Sequence, residues 1–256
     1  MGYCGDTICD PNLNEDCSTC SFDCGTCPPA GGLLVHWKFD EGSGTTASDS
    51  SGNGRTGTLV NGPVWTTNAK VLPYALDFDG SNDYVDGGTF DITGNAMTLS
   101  AWIRPNNIAG CVGDDCRIIT KSNEQSLSNA WWSLSTSRSD QQNADSNTGT
   151  AGVKFMLKTN GATTTLKSNN EPLKNFVWTH LAAVYDGINM MTYVDGAEVG
   201  RTSKSGNIDQ NAGVPVWVGA TKSNAPPSDE FPGIIDDARV YPKALSQSEV
   251  QAVMNG

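Results

Sequence analysis

The segment from Trp178 to Val199, WTHLAAVYDGINMMTYVDGAEV, constrains the fold of this chain more than any other stretch. Side chains alternate along an extended strand, so Trp178 and Val184 fall on one side while Leu181 and Tyr185 fall on the other. Both sides carry bulk, and a strand covered on both faces lies inside a sheet. Met190 to Val194 reads the same way, and Asp195-Gly196 supplies two small residues that accept positive φ in a hairpin turn before Glu198 and Val199 resume the sheet. The segment predicts paired antiparallel strands and offers few residue types that do chemistry.

Comparable short runs recur: Val35 to Phe39, Ala75 to Phe78, Tyr84-Val85, Met97 to Ile103, Ile118 to Thr120, Trp131 to Leu134, Val153 to Leu157, Thr163 to Leu166, Val216 to Val218 and Ile234 to Tyr241. Between them lie polar, glycine-punctuated stretches such as SDSSGNGRTGTL, which reads as a loop. About twelve to fourteen strands are too many for one open sheet, so the chain is predicted to be all-β, with two packed antiparallel sheets. One short helix is expected at the end of the sequence. Ser246 and Glu249 have the spacing of a capping box, and Leu245 with Val250 that of a hydrophobic staple.

The formal charge of -12, from 28 acidic against 16 basic residues, argues against nucleic acid and anionic lipid as partners. No apolar run approaches the roughly 20 residues a membrane helix needs, so no membrane insertion is expected. Carboxylates in this excess suit hard cations such as calcium. Six of the eight cysteines, Cys4, Cys9, Cys17, Cys20, Cys24 and Cys27, crowd the start of the chain. That density reads as disulfides formed in an oxidising compartment, secreted or at the cell surface. A zinc site on Cys17, Cys20, Cys24 and Cys27 would leave two cysteines over and only three residues between the pairs. Residues 1–31 therefore form a small cross-linked acidic module with its linker, Pro28-Pro29-Ala30-Gly31-Gly32 marks the junction, and 32–256 form the large domain.

The series VHWKFDEGSG, DSSGNG, ALDFDGSNDYVDGG, MTLSAWIRP, WTHLAAVYDG, TYVDGAEV and GIIDDARVYPKALSQSEV, in that order from Leu33 to Gly256, resembles the bacterial laminin-G-like branch of the concanavalin A-like jelly rolls. CGDTICDPNLNEDCSTCSFDCGTC resembles a short cysteine-rich module of secreted microbial proteins. The resemblance implies a jelly-roll sandwich whose concave face and rim loops carry ligand sites, in a family of mostly sugar-binding, adhesive or calcium-dependent recognition modules.

Calcium is the chemistry for which residues can be named. Strand alternation puts Asp236 on the row of Ala238 and Val240, the expected core side, and Glu41 at the end of the row of Val35, Trp37 and Phe39. A carboxylate closing an apolar row needs a partner. By resemblance, Asp236 is expected to hold a structural calcium with Glu41 and the backbone of Gly80, and Asp237 takes that role if the register differs by one. Pentraxin-like relatives hold a second calcium at the ligand face; here the equivalent positions leave only Asn129, and then Asn224, Asp229 and Glu230.

Residues 106–152 depart most from a minimal family member. They contain CVGDDC, expected to close a tight disulfide between Cys111 and Cys116, and a long polar insert. Trp131 and Trp132 are neighbours, so one is expected to enter the core and the other to face outward, where it could stack on a sugar ring. Catalysis is not expected. The ExDxxE signature of jelly-roll glucanases does not occur, and Asp114-Asp115, Asp229-Glu230 and Asp236-Asp237 are adjacent pairs whose members point apart in a strand. His36 and His180 lie in strand patterns that suit packing or hydrogen bonding. The sequence thus reads as an extracellular, non-catalytic module that binds polysaccharide, a cell-surface glycan or another protein chain through rim loops, with structural calcium. The alternative is a structural or adhesive subunit that self-associates or docks through its cysteine module, and a glycan-cleaving enzyme ranks third.

Overall fold

A computed structural model describes residues 32–108, 115–123, 130–138, 151–221 and 229–256. The six amino-terminal cysteines, Cys111, Asn129 and Asn224 lie outside the described residues. Two eight-stranded antiparallel sheets make up the described part. The first runs, from edge to edge, through β14 (Ala197–Ser203), β13 (Asn189–Val194), β12 (Thr179–Tyr185), β7 (Met97–Pro105), β16 (Pro232–Tyr241), β5 (Ala75–Asp79) and β4 (Val64–Thr66), with β1 (Val35–Trp37) added along the far half of β16. The second runs through β11 (Ala162–Leu173), β10 (Ala151–Thr159), β9 (Ala130–Arg138), β8 (Arg117–Ser122), β15 (Pro215–Val218), β6 (Tyr84–Thr89), β3 (Gly57–Val60) and β2 (Thr46–Ala47).

The fold is the expected all-β sandwich, with three short strands added. β3 begins within the stretch read as loop, with β2 just before it and β4 just after it. Thr58 and Leu59 become strand because they pair with Asp86 and Val85 of β6, a tertiary imposition that local sequence does not signal. The opening segment behaves as its alternation predicts. β12 lies between β7 and β13, with Leu181 opposite Val194 and Tyr185 opposite Met190, and Asp195 (φ 48) and Gly196 (φ 75) turn the chain into β14.

The core is formed where the sheets meet. Leu99, Ala101 and Ile103 of β7, Leu181, Ala183 and Tyr185 of β12, and Ala238 and Val240 of β16 join Trp132, Leu134, Phe155, Val216 and Val218 from the second sheet in one buried cluster. A second cluster lies on the outer face of the first sheet. There Val250 and Val253 of α1 (Gln247–Asn255) cover Ala182, Val184, Tyr193 and Tyr241. The helix begins at the expected capping box: Ser246 Oγ accepts the Glu249 N–H at 3.3 Å, and Glu249 Oε2 accepts the Ser246 N–H at 2.7 Å. Leu245 and Val250 are buried in the same cluster, as a staple requires.

One strand departs from simple alternation. The register of β16 against β7 slips between Asp236 and Arg239, and Asp237 takes φ 52, the signature of a bulge. Asp236 therefore sits opposite Trp102 and shares the outer face with Arg239, while Ala238 and Val240 point into the core. The expectation that Asp236 lies on the core row of Ala238 and Val240 is corrected: the extra residue reverses the alternation.

Candidate functional site

The bulge builds an acidic corner. Asp236 Oδ2 accepts the backbone N–H groups of Lys70 and Val71, each at 2.8 Å, while its Oδ1 is buried without a donor. Burial pushes the Asp236 carboxyl up to about 7, and the charges of Asp237 and Asp40 add to the rise. Asp237 is held differently. Its Oδ1 lies 2.6 Å from His36 Nε2 and its Oδ2 lies 2.9 Å from Arg239, and although burial works against the anion, these partners keep its carboxyl below the usual range. Glu41 Oε1 accepts the Ser48 N–H at 2.6 Å and its Oε2 is orphaned. Asp40 Oδ1, which the motif reading passed over, is orphaned too, and burial raises its carboxyl with the charges of Glu41 and Asp237 adding. Gly80 sits apart, beside Pro232 at the start of β16. Among the described residues, no three His, Cys, Asp or Glu side chains gather closely enough to hold a metal ion.

Asp229, another expected ligand residue, is buried against the second sheet. Arg117 reaches Asp229 at 3.0 Å and Ser133 Oγ at 3.3 Å, and Lys154 pairs with Asp115 beside it. Asp229 is thus a partner of Arg117. Trp132 enters the core, with its ring 6.2 Å from that of Phe90, and Trp131, its neighbour in the strand, is buried in the same hydrophobic cluster. Trp131 is only 8% exposed, with the Lys158 ammonium 5.3 Å from its ring, so neither indole is an open stacking platform. Cys116 is buried and disulfide-bonded. Burial raises the Glu230 carboxyl, and the charges of Asp229 and Asp79 add to the rise.

At the rim the turns after β3, β5 and β7 enclose an open cleft of about 590 Å³ lined by Asn61, Asp77, Asp79, Asp83, Asn106 and Asn107, with Gly80 and Pro232. The alternation of β5 explains its acidity: Leu76 and Phe78 go to the core, so Asp77 and Asp79 face away. The polar groups are fixed. Asp83 Oδ2 accepts the Asp79 N–H at 3.1 Å, Asp79 Oδ1 accepts the Ser81 N–H at 2.8 Å, and Asn61 Nδ2 donates to the Asn82 carbonyl at 2.8 Å. Burial raises the carboxyls of Asp77 and Asp83. Among the described residues the lining holds no His, Cys, Ser, Lys or Arg, so none of these stands beside a carboxylate there. ALDFDGSNDYVDGG marked the scaffold in the sequence; the structure makes Asp77, Asp79 and Asp83 of that segment a cleft wall.

Residues 79–251 match a laminin G family model described as the concanavalin A-like lectin/glucanases superfamily. No curated protein matches the chain. Among solved structures, the chain is similar to domain 4 of an extracellular arabinanase of Geobacillus stearothermophilus in complex with arabinotriose, at 19% identity and TM-score 0.62, over 87% of this chain and 98% of that one. It is also similar to the binding domain of Paraclostridial Mosquitocidal Protein 1, at 16% identity and TM-score 0.63, over 88% of this chain and 52% of that one. The botulinum neurotoxin serotype D binding domain follows at 13% identity and TM-score 0.60, over 88% and 51%. The chain spans about half the length of the two toxin binding domains it matches. At such identities the structural likeness speaks for the fold, whereas the family match spans more than half of the sequence: the chain belongs to the laminin-G-like family of the concanavalin A-like lectin/glucanase superfamily.

Proposed function

We propose that this chain is an extracellular, non-catalytic recognition module that binds glycan in its rim cleft. The observation that carries the reading is the wall of carboxylates and amides, Asp77, Asp79 and Asp83 beside Asn61, Asn106 and Asn107. Each hydroxyl of a sugar both donates and accepts, so a carboxylate acceptor next to an amide donor suits a vicinal pair. The acidic wall disfavours uronates and sulfated chains and favours neutral glycans. The arabinanase domain complexed with arabinotriose supports a neutral oligosaccharide as the first ligand to test. Binding is favoured over cleavage because Asp79 and Asp83 are committed to local backbone N–H groups. The disulfide at Cys116 and the cysteine-dense start of the chain support an oxidising compartment.

Calcium belongs to the same proposal. Asp236 Oδ1 and Glu41 Oε2 are buried oxygens with no donor, an arrangement that a hard cation relieves. Among the described residues no three carboxylates gather, so carbonyl oxygens are the donors left to complete its shell. Titration calorimetry with arabinotriose and a panel of neutral oligosaccharides tests the reading. Binding by the native chain, at least tenfold weaker in Asp83→Asn and Asn106→Ala and without product release, is expected. Absence of binding across the panel, or unchanged affinity in both variants, overturns it. A melting temperature unaffected by calcium or by a chelator removes calcium from it.

A further inference from the structure

A second cavity, also of about 590 Å³, opens on the outer face of the first sheet beside the last turn of α1. Its walls include Lys70, Trp102, Trp178 and Asp195, and it shares no lining residue with the rim cleft. Trp102 projects outward from β7 opposite His180 of β12, whose ring packs edge-on at 5.3 Å. The Lys70 ammonium lies 4.4 Å from the Trp102 ring, and among the described residues it has no carboxylate within ion-pair distance. Trp102 is more than nine-tenths buried, and its Nε1–H has no acceptor. His180 Nδ1 is likewise buried without a partner. Asp195 is fixed across the cavity, its Oδ1 accepting the His180 N–H at 2.8 Å.

These groups specify a ligand type. Trp102 is enclosed with Lys70 over its face, so the half-buried Trp178 offers the flat apolar surface, the exposed Lys70 ammonium is a donor, and Asp195 is an acceptor. A purely apolar ligand would strip water from Lys70 and Asp195 without replacing its hydrogen bonds. A cationic ligand competes with Lys70, which already occupies the Trp102 face. A saccharide ring answers all three features: its C–H face covers an indole, its oxygens accept, and a hydroxyl donates to a carboxylate. We propose that this cavity is a second saccharide-binding site, in which one sugar ring lies against the Trp178 indole and its oxygens meet Lys70 Nζ and the Asp195 carboxylate. The site shares a ligand class with the rim cleft and is otherwise independent of it. Trp102 of β7 precedes Asn106, just past the end of that strand, by four residues, about 13 Å at strand rise, a distance an oligosaccharide can span.

The test titrates the full chain with arabinotriose and with a galacturonate trisaccharide, reading heat and tryptophan fluorescence, in the native protein, Asp83→Asn, Trp178→Ala and Lys70→Met. Lys70 is exposed, so its variant probes the site even if Trp178→Ala fails to fold. The expected result is saccharide-dependent fluorescence change that persists in Asp83→Asn and weakens at least tenfold in Trp178→Ala or Lys70→Met. A uronate preference lost in Lys70→Met assigns the lysine to a ligand carboxylate, and equal affinity for both sugars assigns it to neutral oxygens. Binding abolished by Asp83→Asn and untouched by Lys70→Met and Trp178→Ala overturns this site while leaving the rim reading intact. Binding sensitive only to Lys70 and Trp178 does the reverse. Absence of binding by either sugar overturns this site, and saturable quenching by tetramethylammonium in place of sugar assigns the cavity to cations and overturns it as well.

Discussion

Arg117 and Asp229, 112 residues apart in the sequence, meet at 3.0 Å on the outward face of the second sheet, with both side chains almost fully enclosed. Removing one partner of a buried pair strands the other charge, typically at about 3–5 kcal/mol. Asp115, 3.6 Å from the same guanidinium, offsets part of that loss. Asp229→Ala is expected to destabilise the protein by about 3 kcal/mol in urea denaturation and to leave saccharide affinity unchanged in the folded fraction. A large loss of affinity at native stability would restore Asp229 as a ligand contact.

His180 sets an acid limit on stability. Burial pushes its imidazole down to about 4, against an ordinary value of 6.5. Between those values the unfolded chain binds the proton and the folded chain does not, so stability is full above pH 6.5 and falls as pH drops toward 4. At about 1.4 kcal/mol per pH unit the loss approaches ~3 kcal/mol. Urea melts at pH 7 and pH 4.5 are expected to diverge more in the native chain than in His180→Gln. Parallel pH dependence in the two would remove His180 as the cause.

The capping box governs how firmly α1 covers the outer face. Ser246→Ala removes the acceptor of the Glu249 N–H and is expected to lower stability by about 1 kcal/mol, with unchanged denaturant dependence. Hydrogen exchange should quicken first in the opening turn of α1.

Trp132 is a packing residue. Its ring is fully buried between the sheets, so Trp132→Ala should cost about 3–5 kcal/mol through lost burial and the cavity left behind. Sugar titration of whatever remains folded should match the native chain. Selective loss of binding at near-native stability is the opposite result, and it would return this tryptophan to the ligand site.

Much of the scaffold was legible because it depends on neighbours in sequence. The Asp195-Gly196 turn and the Ser246 cap each need only a few consecutive residues, and both form as read. Asp236 was placed on the wrong face because a single bulged residue, Asp237, reverses every side chain beyond it, and no local pattern announces the insertion. Lys121 is hidden for a related reason. It points between the sheets because carbonyls of Phe90 and Val214, 31 and 93 residues away, each accept from its ammonium at 2.7 Å. Both clefts escaped because their walls converge from distant turns and strands, whereas motif spacing registers only what lies close along the chain.

The pairing of β1 with β16 has a consequence during synthesis. His36 and Asp237 are 201 residues apart, and β1 has no strand partner other than β16 in the described sheets. A ribosome adding about 5–20 residues per second takes on the order of 10–40 s to cover that interval. Through that time the apolar side chains of Val35 and Trp37 have no ladder to join, and β7 and β5 each lack the neighbour that will separate them. The first sheet can close only when β16 has emerged, so until nearly all of the domain is made, β5 and β7 each keep an open edge.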